Sequence, residues 1–73
     1  MSDTVNGCEI IASINTGDKM GRYVMLHNPH NRRHPYVTAW LRYDHQEQWE
    51  WGDYLETIEE AKQSLFDRAL AAL

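Results

Sequence analysis

Between residues 8 and 14 apolar side chains fall at Cys8, Ile10, Ala12 and Ile14, with Glu9 and Ser13 between them and Ile11 as the one break in a period of two. Such alternation puts successive side chains on opposite faces of a strand. Residues 22–27 and 36–43 are dense in β-branched and aromatic side chains, which suit a pleated, half-buried surface. Residues 48–55 carry Trp49, Glu50 and Trp51 in alternation. Turn formers separate these segments: NTGDKMG before residue 22, NPHNRRHP after residue 27, and DHQE at 44–47. Asn, Asp and Gly enter turns at little cost, and Pro cannot donate to a ladder. The last three segments are therefore expected to form an antiparallel meander, with 8–14 as a fourth strand. The first six residues, MSDTVN, are expected to be a loose terminus.

A different period begins at Thr57. Glu60 follows three residues later, so the hydroxyl can accept a free backbone N–H while the carboxylate returns the bond. At 100° per residue Ile58, Ala61, Leu65, Phe66, Ala69, Leu70, Ala72 and Leu73 share about half the circumference, with Lys62 at the edge of that arc. These patterns predict one α+β domain over residues 1–73. Its expected architecture is a three- to four-stranded antiparallel β-sheet with one C-terminal amphipathic α-helix packed on one face, in the order ββββα. Strands followed by a helix opening with Thr57, Glu59, Glu60 and Ala61 are loosely similar, over residues 22–73, to HicB-like antitoxin domains and small prophage and plasmid proteins. That resemblance rests on topology and a common capping sequence, and it implies the fold without transferring a function.

Strand alternation also sorts the side chains into two faces. Val24, Leu26, Val37, Ala39, Leu41, Tyr43, Trp49, Trp51 and Leu55 form the more apolar set, the one expected beneath the helix. The other set holds Tyr23, Met25, His27, Tyr36, Thr38, Trp40, Arg42, Glu50 and Tyr54, and one helix cannot cover both. Exposed apolar patches mark interaction sites, and Tyr, Trp and Arg are enriched in binding hot spots. Tyr23, Tyr36, Trp40, Arg42 and Tyr54 are accordingly the candidate interaction residues. The plainer reading is that the rings only pair across strands. A one-residue slip in register would exchange the two faces.

Charge narrows the choice of partner. The 73 residues carry 7 Lys and Arg against 11 Asp and Glu, a net −4. Affinity for a phosphate backbone needs clustered cations, so nucleic acid is disfavoured, and only Arg32, Arg33 and Arg42 offer a local basic spot. A single cysteine cannot close an internal disulfide, and a short chain without staples commonly gains stability from association. A protein partner or self-association, including a homodimer, is therefore expected. With no apolar run of membrane-spanning length, the chain is expected to be cytoplasmic and to make no membrane contact.

His27, His30 and His34 flank one loop, yet Arg32 and Arg33 lie between them and oppose a divalent ion, so the loop reads as a turn. No metal or cofactor is expected. Asp44, His45, Glu47 and Glu50 read as a polar hairpin turn, since no nucleophile elbow, phosphate-binding glycine loop or HExxH motif accompanies them. Cys8 reads as a small buried residue. The function these observations predict is that of a noncatalytic protein-interaction domain, self-associating through its aromatic sheet face. The alternatives are stacking of single-stranded nucleic acid on the same rings, with Arg32, Arg33 and Arg42 meeting phosphates, and an acidic inhibitor or decoy of mobile-element type.

Overall fold

The computed structural model describes residues 4–17 and 19–72. Five antiparallel strands, β1 (Thr4–Val5), β2 (Cys8–Ile14), β3 (Gly21–His27), β4 (Tyr36–Arg42) and β5 (His45–Leu55), precede one helix, α1 (Ile58–Ala71). The strands pair in chain order, as expected of a meander. Residues 4–6 depart from the loose terminus predicted for them. Asn6 and Gly7 have φ of 52° and 81°, the two-residue turn whose twist matches paired strands. That turn folds Thr4 against Glu9 and Val5 against Cys8, and Val5 is buried. Residues 1–3 lie outside the described residues. The turn after β4 is tighter than the tetrad at 44–47 suggests, because Arg42 already pairs with His45.

Three register shifts shape the sheet, one between β2 and β3 and two between β4 and β5, the first of these two falling between the pairs Arg42 with His45 and Trp40 with Glu50. Ile11 is an extra residue in β2 between the pairs Ile10 with Leu26 and Ala12 with Met25. In β5 two residues lie between Glu50 and Asp53, where one lies between their partners Trp40 and Thr38 in β4, so β5 carries an extra residue there. Bulges of this kind bend a strand and increase its twist, and the sheet curls until β1 touches β5. The concave side encloses Val5, Cys8, Val24, Leu26, Val37, Ala39 and Leu41, with Ile10 and Trp49 packed around them.

That curl decides which face the helix covers, and it is the opposite of the face expected. Val24, Leu26, Val37, Ala39 and Leu41 are sealed by the sheet itself. The helix lies on the convex side, where Ala61 and Leu65 join Met25, with Ala12, Ile14, Tyr23, Tyr36, Leu55 and Ile58 around them. The Thr57 hydroxyl accepts the Glu60 N–H at 3.2 Å and starts the helix. Two polar contacts set how it sits: Thr38 Oγ1 and Ser64 Oγ are 2.7 Å apart, and Arg68 donates to Asp53 at 2.9 Å. Among the described residues of the apolar arc, Ile58, Ala61, Leu65 and Ala69 face the sheet, whereas Phe66 and Leu70 stay 57% and 66% exposed. Among the described residues no helix is long and apolar enough to cross a membrane.

Candidate functional site

The helix leaves one end of the convex face bare, where β3 begins and β4 ends. Gly21 is paired with Arg42 there, and a Cβ on it would lie 2.9 Å from Trp40 Cζ2 and 2.5 Å from the Leu41 carbonyl oxygen. Its missing side chain lets the Trp40 indole lie against β3. Tyr23, opposite Trp40, stands 4.9 Å from it between ring centres, tilted by 60°. Trp51 stacks on the other side of Trp40 at 6.3 Å and 24°. The three rings, with Met20, Arg42 and Glu50, line a cleft of about 420 Å³.

Trp51 gets there by way of the β5 bulge. Plain alternation would put Trp49 and Trp51 on one face, but the extra residue separates them. Trp49 packs on the concave core, whereas Trp51 turns out beside Trp40. Its φ is 55°, a left-handed conformation that costs a bulky residue about 1–2 kcal/mol. Its side chain is 70% exposed. Burial repays little of that strain, and strain of this sort gathers at functional positions.

The charged groups of the cleft are unequal. Arg42 donates from Nε to Asp44 Oδ1 and from Nη2 to Asp44 Oδ2, both at 3.0 Å. This two-point bond, together with the Asp44 charge, pushes the guanidinium pKa further up, and Glu50 adds to the rise. The Arg42 charge is thus answered within the pair. Glu50, opposite Trp40, adds a second carboxylate to the same wall.

No family model matches the chain, and neither does any curated protein or solved structure.

Of the five candidate interaction residues, the structure gathers Tyr23, Trp40 and Arg42 in the cleft and separates the other two. Tyr36 is half-buried against the helix cluster and pairs with the His27 ring at 5.5 Å. Tyr54 is opposite Val37, so it stands on the other face, 55% exposed. Trp40 is only 7% exposed and forms the floor of the cleft. Trp51, Met20 and Glu50 complete the site; of these, alternation alone assigns Trp51 to the wrong face. The histidine loop is organised by asparagines: Asn28 Oδ1 accepts the His30 N–H at 3.0 Å, and Asn31 Oδ1 accepts those of Arg33 and His34 at 3.1 and 2.9 Å. No group of His, Cys, Asp and Glu among the described residues is placed to hold a metal ion.

Proposed function

We propose that the chain is a noncatalytic protein-interaction domain whose contact surface is the Trp40–Trp51 cleft. The observation that carries this reading is Trp51, a strained residue whose large ring is stacked on a buried neighbour and offered to solvent. A rigid aromatic anchor beside a buried ring supplies contact area at low entropic cost, which is the profile of a binding hot spot. Electrostatics support a protein partner over a nucleic acid, because Arg42 is engaged by Asp44 and the wall also holds Glu50. A catalytic reading gains nothing from Arg42, whose pKa moves away from the range of proton transfer.

The test uses Trp51→Gly, since glycine adopts φ 55° without strain and the concave core does not involve Trp51. Wild-type and variant chains are compared for the proteins they retain from an extract and for quenching of tryptophan fluorescence by a single-stranded oligonucleotide. The reading expects a reproducible set of proteins lost with the variant while its thermal midpoint stays within a few degrees. Equal retention by both chains would refute it. Saturable quenching of the wild type that weakens steeply with salt would transfer the cleft to nucleic acid.

A further inference from the structure

The charge of the cleft, taken as the contact surface proposed above, narrows the chemistry of the partner. Arg42 has two of its nitrogens on Asp44, so its charge is already answered and draws an incoming anion less strongly. Glu50 repels one. A purely apolar partner would cover Glu50 beside an Arg42 whose charge Asp44 already answers, and burying that surplus carboxylate is costly. The cleft is lined by Arg42 and Glu50, and Asp44, bonded to Arg42 from outside the lining, brings the three to a net charge of −1, which complements a cation. Trp51 and Trp40 present near-parallel indole faces, and such faces attract cations through the ring quadrupole. A guanidinium suits this wall better than an ammonium, because its plane can stack on Trp51 while its edge donates to a carboxylate.

We infer that the cleft takes an arginine side chain presented by the partner protein, stacked on Trp51 and paired with Glu50. Met20, 56% exposed at the rim, supplies an adaptable apolar contact to the arginine stem.

The experiment titrates the full chain with acetyl-Ala-Ala-Arg-Ala-Ala-amide and with the same peptide carrying citrulline, a neutral isostere of arginine, following the indole N–H resonances by NMR. The arginine peptide is expected to shift the Trp51 resonance with a Kd at least five-fold lower than the citrulline peptide. Glu50→Gln should bring the two within two-fold of each other while leaving the thermal midpoint unchanged. Equal binding of both peptides, or an unaltered preference in Glu50→Gln, overturns the assignment. Either result is separable from failure of the broader reading, which would show as unchanged partner retention by Trp51→Gly. Concentration-dependent association of the wild-type chain, abolished by replacing both Arg32 and Arg33 with alanine, would make a second copy the source of the arginine and overturn the assignment to a different protein.

Discussion

The seam between helix and sheet contains a polar pair whose removal has a calculable signature. Thr38 is fully buried, and its hydroxyl meets the Ser64 hydroxyl at 2.7 Å. Thr38→Val keeps the branched shape and deletes one net hydrogen bond, about 1 kcal/mol. The half-buried Ser64 hydroxyl can then turn to water. Ser64→Ala strands the Thr38 hydroxyl in an environment without water, at a cost of about 1–3 kcal/mol, less about 0.5 kcal/mol for the better helix propensity of alanine. The double variant leaves neither hydroxyl behind, so it should lie within about 1 kcal/mol of the wild type, giving a coupling of about 1–2 kcal/mol. For a domain of this size each kcal/mol moves the thermal midpoint by roughly 4–8 °C. Urea denaturation of the four proteins, followed by far-ultraviolet circular dichroism, measures the cycle. Additive single-variant losses would refute the reasoning, for they would mean that the two hydroxyls do not depend on each other.

Local packing and burial set the remaining expectations. Gly21→Ala places a methyl group 2.5 Å from the Leu41 carbonyl oxygen, a backbone atom that moves only if the ladder opens, so a loss of about 3 kcal/mol is expected. Gly17→Ala meets no atom within 4 Å and bears only the strain of φ +88°, about 1 kcal/mol; equal losses in urea would contradict this. Burial pushes the Cys8 thiol pKa up, so the folded state keeps a proton that the unfolded state releases. Stability should therefore decline as pH rises above about 8.5, the ordinary thiol value, and Cys8→Ala should show a shallower decline in alkaline urea titrations. Identical slopes would remove Cys8 as the cause.

The choice of partner depends on a small balance of charge. The sequence shows Arg42 as a cation on an aromatic face and so leaves single-stranded nucleic acid as an alternative. Asp44, two residues along the turn, satisfies that cation locally, and Glu50 arrives from the neighbouring strand. The same rings that would stack bases therefore stand beside a wall that disfavours phosphate.

Much of the architecture follows from local pattern. Period-two alternation and β-branched, aromatic composition mark residues 8–14, 22–27 and 36–43 as strands, since side chains on a pleated strand point in turn to its two faces. Thr57 and Glu60 mark the helix start because a hydroxyl three residues before an amide caps it whatever the surroundings. The Asn6-Gly7 pair carries a hairpin signal of the same local kind, although a terminal position makes it easy to take for loose chain. The grouping of Tyr23, Trp40 and Arg42 on one face was also legible, and these three do meet. Which face would be left open was not. That depended on the curl, which brings β1 to β5 across the sheet and seals the aliphatic face without the helix. Nor could alternation place Trp51. The extra residue between Glu50 and Asp53 reverses the facing of the side chains beyond it, and it exists only through the pairing of β5 with β4. Alternation is a property of neighbours, whereas curl and bulge are properties of the closed sheet, so the cleft exists only in the folded chain.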